Sequence, residues 1–389
     1  MRKLVPVLLV VLCLLATFFS RTPRLVEEAE NKVLAKPPYR TLVSEQARDL
    51  HDHLTIADLH ADSLLWGRDL FHRAGYGQLD IPRLADANVA LQVFSLPTKT
   101  PHRLNLERND DKSDDVFWLA VVEHWPLRTW RSLTQRAVYQ AQRLHEYAMA
   151  SRGSFTLIES SAELSSYLEH RRTNRRLTAG LLAIEGAHAL DGNLDNLDLL
   201  YGAGYRMMSP SHFFDNDIGG SAAGVGKIGL TEKGREWVRQ MEARHMIVDV
   251  SHASAKTIDD VLAITTRPVV VSHTGVKGTC NNNRNLTDDQ IRAVAAKGGL
   301  IGIGYWDAAT CGTDARAIVR AMRYVSDRVG VEHVALGSDF DGAVTEPFDT
   351  RGVVLITAAM LDAGYSEEEV RMIMGENVVK FLKENLPAK

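Results

Sequence analysis

Short apolar runs recur along the chain, and most stop on a cluster of polar residues. The clearest pair is Met246-Ile-Val-Asp-Val-Ser-His252 and Pro268-Val-Val-Val-Ser-His-Thr274. Both are rich in β-branched residues and both end on Ser-His. Runs of this kind predict buried parallel strands, and the segment between them, opening at Ser254, has the length and composition of a helix. The pattern is therefore a βαβ unit with His252 and His273 at the carboxyl ends of neighbouring strands. Open α/β sheets and barrels bind ligands at that end. Two histidines in the same position on adjacent strands favour a metal site over a pair of core histidines.

Six more runs read as strands: Leu54–Leu59, Val89–Leu96, Leu177–Ile184, Tyr205–Ser209, Leu300–Tyr305 and Val334–Gly337. Helical patterns alternate with them. Thr231 caps one helix, which places Trp237, Val238 and Met241 on a single face. Thr287–Gln290 and Ser366–Glu369 have the form of capping boxes, the second opening a helix to about Glu384. Asp314–Val329 is helical, with Thr313 as its cap. Val116–Met149 has helical spacing broken at Pro126 and reads as outer helices of the main domain. Asp215–Gly229 is rich in Gly and Ala and reads as an irregular loop. Eight strands alternating with helices predict a (β/α)8 barrel, a TIM barrel, with a doubly wound open sheet as the runner-up.

Composition narrows the class. Of 389 residues, 45% are hydrophobic and 24% charged, which suits one large α/β domain. A net charge of -4 gives no reason to expect a nucleic-acid partner. The first residues differ from the rest. Arg2 and Lys3 precede an apolar run, Leu4–Phe19, shorter than the roughly 20 residues of a membrane span. Residues 1–25 are therefore read as a cleaved signal or an N-terminal membrane anchor, residues 26–45 as a linker, and residues 46–389 as the barrel domain. Either reading exports the domain: periplasmic or otherwise extracytoplasmic, held to the membrane or secreted after cleavage. If Cys13 belongs to that segment, Cys280 and Cys311 remain. Spacing alone leaves a disulfide and two free thiols equally open.

The strand ends carry the chemistry: His60 and Asp62, Glu185, His212, His252, His273 and Asp339. Imidazole and carboxylate without cysteine suit Zn²⁺ or a similar divalent ion. Seven candidates exceed the three ligands of a single catalytic zinc, so two ions sharing a carboxylate fit better. Any one of these residues alone is as readily a core histidine, a helix cap or a turn carboxylate. Their joint position on one face is what argues for a site. Arg284, just past the sixth run, can hold a carboxylate bidentately. His188, three residues after Glu185, is ambiguous. His51, His53, His72, His102, His124, His145, His170, His245 and His333 lie before strands, in loops or on helices, where surface roles are expected.

Together, His60-Ala-Asp62, Ile184-Glu-Gly-Ala-His188, Ser211-His212, Asp249-Val-Ser-His252, Ser272-His273, Asn283-Arg-Asn285 and Gly337-Ser-Asp339-Phe-Asp-Gly342 resemble the membrane dipeptidase (renal dipeptidase) family of zinc metallopeptidases. The resemblance runs from about Thr55 to Leu382, with the motifs in the family's order. It implies a metal-dependent (β/α)8 hydrolase with two Zn²⁺ ions. His60 and Asp62 would hold one ion, His252 and His273 the other, and Glu185 would bridge them. His212 and Asp339 would be catalytic, and with Arg284 would bind substrate. The implied reaction is hydrolysis of dipeptides that have a free C-terminal carboxylate, by metal-activated hydroxide. The alternative is a related binuclear amidohydrolase acting on lactams or cyclic amides. The resemblance also implies a Cys280–Cys311 disulfide. Expected partners are a small dipeptide, a membrane through the N-terminal segment and a second copy of the chain. Residues 98–151 and 215–229 match no motif of the family, which bears on substrate preference.

Overall fold

In the computed structural model, which describes residues 18–389, nine strands form one sheet. They are β1 (Ile56–Ala61), β2 (Val89–Phe94), β3 (Phe155–Leu157), β4 (Thr178–Ile184), β5 (Tyr205–Met208), β6 (Ile247–Val248), β7 (Val270–Thr274), β8 (Leu300–Ile303) and β9 (Val334–Leu336). Their pairings are parallel and run β6-β5-β4-β2-β1-β9-β8-β7, with β3 attached beside β4. A parallel bridge from Asp249 to Val270 joins the end of β6 to β7, and Val250 N donates to Val270 O at 2.8 Å. That bridge closes the ring, so the architecture is the barrel and not the open sheet. The eight predicted strands are its staves. β3 is an addition that the sequence reading lacks.

The long staves are buried along their whole length, as expected where helices cover one face and packed side chains fill the other. Strand residues such as Ile184, Met208, Val271 and Leu336 share one cluster with helix residues Trp237, Val261, Ile318 and Met322. Each such side chain stabilises the fold by about 1.5–3 kcal/mol. Local signals set the helix starts. Ser254, Thr231, Thr287 and Ser366 accept from backbone N–H groups of their first turns. One cap differs from expectation: Asp314, not Thr313, accepts from Ala317 N, and the helix is Ala315–Val329. The C-terminal helix is interrupted at Met372–Glu376 and resumes as Asn377–Asn385.

The N-terminal segment packs against the barrel. Residues 1–17, which hold most of the apolar run, lie outside the described residues. Residues 18–30 are helical, and the expected linker is docked on the barrel rather than free. Glu27 is buried and accepts from Arg68 Nε at 2.6 Å, Asn31 Oδ1 accepts from Ala343 N, and Val33 bridges Glu346. The mostly polar composition hid these contacts, because Glu27 and Asn31 are polar residues that pair with the barrel. No helix among the described residues is long and apolar enough to cross a membrane.

Residues 98–151 contain helices Asp115–Val122 and Leu133–Ala150, which pack on the outside of the barrel. Their leading loop goes further and crosses the rim. Asn109 donates from N to Ala223 O at 2.7 Å, and Glu107 accepts from Asn283 Nδ2 at 2.6 Å.

Candidate active site

β1 delivers His60 at its end and Asp62 just beyond; β4 delivers Glu185, and the loop after β5 delivers His212. His252 follows β6, His273 lies within β7, and Asp339 follows β9. All seven are buried and converge at the carboxyl end of the ring. Glu185 is the centre. Its Oε1 lies 2.5 Å from His60 Nε2 and 3.7 Å from His273 Nε2. Its Oε2 lies 2.7 Å from His212 Nε2 and 4.0 Å from His252 Nε2. On the other side of His60, Nε2 is 3.3 Å from Asp62 Oδ2 and 3.8 Å from Asp339 Oδ1. Three overlapping groups have geometry that can hold a cation: His60, Glu185 and His273; Glu185, His212 and His252; His60, Asp62 and Asp339.

The backbone is bent to make this arrangement. His252 and Asp339 have φ of 61° and 69°, values uncommon outside glycine and typical of functional sites. Gly186, at φ 91°, leaves room that no other residue leaves: a Cβ there would fall 2.3 Å from His188 Cε1. Gly342 is equally constrained, since its Cβ would fall 2.2 Å from Asp339 Oδ1.

The electrostatics call for positive charge. Burial raises the Asp62 carboxyl above its ordinary range, and the neighbouring Glu185 adds to that. Burial likewise raises Asp339 well up; Asp62 and Glu185 add to it, while His60 and Arg284 oppose. Burial works against a charged His60, yet Glu185 and Asp62 together outweigh it and raise its pKa well above the usual value. His252 and His273 go the other way, held neutral by burial and then by nearby cationic groups. Neutral imidazoles and anionic carboxylates are the protonation states a metal needs. Asp62 Oδ1 is buried without a hydrogen-bond partner. So is Glu185 Oε1, despite its 2.5 Å approach to His60. His252 Nε2 and His273 Nε2 face each other at 2.8 Å. Buried carboxylate oxygens without a hydrogen-bond partner, beside crowded imidazole nitrogens, are what a shared cation would satisfy.

Arg284 lies beside this cluster, buried, with its guanidinium carbon 5.8 Å from the Trp306 ring centre. Nη2 donates to His273 O at 2.7 Å. The Arg284 loop is braced from below: Asn285 Nδ2 donates to Cys280 O at 2.7 Å, and a disulfide joins Cys280 to Cys311. Asn285 is therefore committed to the fold, although it begins a glycosylation sequon. The rim loop reaches both sides of the mouth, through Glu107 to Asn283 and through Asn109 Nδ2 to Phe213 O.

Several participants were not picked out from sequence. Asp58, in the middle of β1, accepts from Ser338 N, Ser338 Oγ and Gln92 Nε2 and so ties the β1 end to the Asp339 turn. Its signal was present: two-residue spacing puts it on the same side as His60. Ser272 Oγ contacts Nδ1 of His60 and of His273 from behind and donates to Asp249. His188 is buried against Phe214 at 4.8 Å, with neither ring nitrogen hydrogen-bonded, and belongs to none of the three metal-capable groups. His51, expected at the surface, is also buried, bonded to Thr357 and Ala87.

Known proteins resemble this chain in sequence and in fold. Residues 44–388 match the family model described as membrane dipeptidase, peptidase family M19. A Klebsiella pneumoniae protein named for its place in the pqqA 5' region is 31% identical over 60% of this chain and 90% of its own length. The dipeptidase tcpJ of Claviceps purpurea is 34% identical over 53% of this chain and 51% of its own. Among solved structures, a metallopeptidase from Rhodobacter sphaeroides, liganded with a phosphinate mimic of L-Ala-D-Ala, superposes with a TM-score of 0.68. It is 24% identical and covers 86% of this chain and 99% of its own.

Proposed function

The chain belongs to the membrane dipeptidase family of metallopeptidases, peptidase family M19, and from that premise we propose a binuclear zinc dipeptidase specific for substrates with a free C-terminal carboxylate. The observation that carries the count of two is Glu185. Its carboxylate lies among ligands of both proposed positions: Oε1 is near His60 of one and His273 of the other, and Oε2 is near His252 and the catalytic His212. One carboxylate serving two groups is the arrangement a bridging ligand requires. The donor set fits zinc: nitrogen and carboxylate oxygen, with no cysteine. In this reading His60 and Asp62 hold one ion, His252 and His273 the other, and Glu185 both. What such a pair supplies is Lewis acidity, which polarises a carbonyl and makes water acidic enough to be a nucleophile near neutral pH.

The remaining steps belong to the chain's own side chains. Arg284 grips the substrate's C-terminal carboxylate with its planar fork, which selects dipeptides over internal bonds of proteins. In this reading the Nε2–H of His212, which faces Glu185 Oε2 at 2.7 Å, turns to the oxyanion that forms on the scissile carbonyl. Asp339 Oδ1 takes the proton released by the attacking water and delivers it to the amine nitrogen as the C–N bond breaks. The buried, turned backbone at Asp339 keeps that carboxyl at the mouth.

The test combines metal analysis with a substrate panel. The reading expects two zinc equivalents per chain and loss of activity on chelation. It also expects hydrolysis of free dipeptides, L-Ala-D-Ala included, but not of their C-terminal amides. One equivalent at full activity rejects the pair of ions. Preference for lactams or cyclic amides transfers the site to the alternative chemistry. Arg2, Lys3 and the apolar run after them support export, and cell fractionation of the full chain tests that.

A further inference from the structure

The helix Asp115–Val122 is apolar beyond its first residue. Val116, Leu119 and Ala120 turn inward and pack with Leu65, Trp66 and Trp125. Trp118 turns outward and is 65% exposed. The turn Leu127–Trp130 packs on the same helix, with the Trp130 and Phe117 rings 6.2 Å apart, and leaves Leu127 73% exposed. Single exposed leucines are ordinary on a protein surface. A helix that is apolar all round needs cover on both sides, and among the described residues only the inner side has it.

The N-terminal helix starts at this place. Phe19 packs on His124, with ring centres 5.4 Å apart, and His124 lies between Trp118 and Leu127 in the chain. Phe18, its neighbour, is 53% exposed. In the sequence these two phenylalanines close the apolar run that opens at Leu4. The run therefore joins the domain where Trp118 and Leu127 stand out. Positive charge borders the spot: Arg21, Arg128 and Arg131 are exposed. The acids around it are engaged. Glu123 turns in and accepts from Gly67 N at 2.7 Å and Trp125 Nε1 at 2.8 Å; Glu28 pairs with Arg24, and Asp115 faces His102 at 3.3 Å.

We propose that this face seats on an anionic phospholipid surface. Phe18, Trp118 and Leu127 enter the boundary between headgroups and acyl chains, and Arg21, Arg128 and Arg131 meet the phosphates. Tryptophan suits that depth, because its ring is apolar and its N–H keeps a wet partner. Exposed arginines are attracted to anionic lipid. The run Leu4–Phe19 falls short of the roughly 20 residues of a full span, so a contact from the domain on the same side strengthens a weak hold. A second copy on this face would set like charges against each other across a two-fold axis. The proposal does not depend on the metals.

The test uses the full chain and vesicles of phosphatidylcholine and phosphatidylglycerol, with bromine on the acyl chains near the headgroups. Of the six tryptophans, Trp66, Trp125, Trp237 and Trp306 are buried and Trp130 is half-buried, so quenching by bromine reads Trp118. We expect quenched emission in the vesicle-bound wild type and loss of that quenching in Trp118→Phe. The double variant Trp118→Ser, Leu127→Ser should partition on the order of 10-fold or more weakly. Met149→Ser, an exposed apolar site near the far end of the helix Leu133–Ala150, should partition like the wild type. Thermal melting verifies that each variant folds. A bound chain with unquenched Trp118, equal partition of all the proteins, or no binding to the vesicles would overturn the proposal. In the first case the face is covered by the apolar run itself or by a second copy. Partition that ignores the phosphatidylglycerol content would overturn the contacts assigned to the arginines.

Discussion

Arg284 Nη2 donates to the backbone carbonyl of His273 at 2.7 Å, so the proposed grip on the substrate is anchored to a strand residue of the metal cluster. Carboxylate recognition and hydrolytic chemistry thus share one rigid element. A change in the position of one is transmitted to the other through a single hydrogen bond.

Replacing Arg284 with Met keeps much of the side-chain volume and removes the charge. A charge-assisted contact contributes about 2–3 kcal/mol, so KM for dipeptides should rise on the order of 100-fold, with a smaller change in kcat. Steady-state kinetics on matched pairs of free and amidated dipeptides decide the point. If the variant loses equally on both, Arg284 does not read the carboxylate.

Much of the fold and the site is legible in the sequence. The staves show because a parallel strand buried on both faces reads as an apolar run, and the site residues show because six of the eight runs end on or just before them. β3 is not legible: three residues are too few to display a period, and it pairs only with β4, outside the ring. The docking of residues 26–45 is hidden for a different reason. Glu27 looks like a solvated charge until Arg68, far along the chain, supplies its partner. Asp249 and Ser272 stand within recognisable motifs, but the two ring nitrogens that Ser272 touches come together only in the fold.

Glu185→Gln tests the bridge. An amide cannot supply two anionic oxygens, and its NH₂ would point at nitrogen ligands. Zinc content should fall from two equivalents to one or none, and kcat/KM should drop by on the order of 1,000-fold, a loss of several kcal/mol of charge stabilisation. Elemental analysis alongside kinetics is sufficient; two retained equivalents with normal turnover exclude a bridging role.

The Cys280–Cys311 disulfide closes a sequence separation of 31 residues around the Arg284 loop. In the chain-entropy description that stabilises the fold by about 3–4 kcal/mol. Replacing both cysteines with Ala should lower the urea midpoint accordingly. Because Asn285 braces the loop through Cys280 O, KM should rise more than kcat falls. A variant with lowered stability but unchanged KM would show that the bridge supports the domain and not the grip.

His51 makes a pH prediction with a definite sign. Burial pulls its imidazole from the ordinary 6.5 down to about 4. Above pH 6.5 neither the folded nor the unfolded chain holds that proton. Between 6.5 and 4 the unfolded chain takes it up and the folded chain refuses it, so stability falls as pH drops through that window and levels off below 4. From pH 7 to pH 5 the loss amounts to about 2 kcal/mol. His51→Gln can still donate to Ala87 O and accept from Thr357, and should flatten this part of the profile. Urea unfolding of both proteins at the two pH values measures it, and identical slopes would refute the assignment.

The N-terminal helix offers the last test, because its contacts reach the catalytic turn. Arg68 donates from Nε to Glu27 Oε1 and from Nη2 to Asp341 Oδ2, each at 2.6 Å. Asp341 is fully buried and also accepts from Ser63 Oγ and Gln78 N, both at 2.6 Å. It sits in the same turn as Asp339, so residue 27 braces the proposed proton carrier through two ion pairs. Removing Glu27 leaves the Arg68 Nε–H buried without its acceptor while Asp341 still pairs the charge, at a cost of about 1–3 kcal/mol. A chain beginning at residue 26 keeps Glu27 and should match the full chain in unfolding and in kcat. A chain beginning at residue 31, or Glu27→Ala in the full chain, should be destabilised by that amount and lose activity with it. Equal stability and activity across the four proteins would mean that the segment is only a tether, and that any processing site up to residue 30 is tolerated.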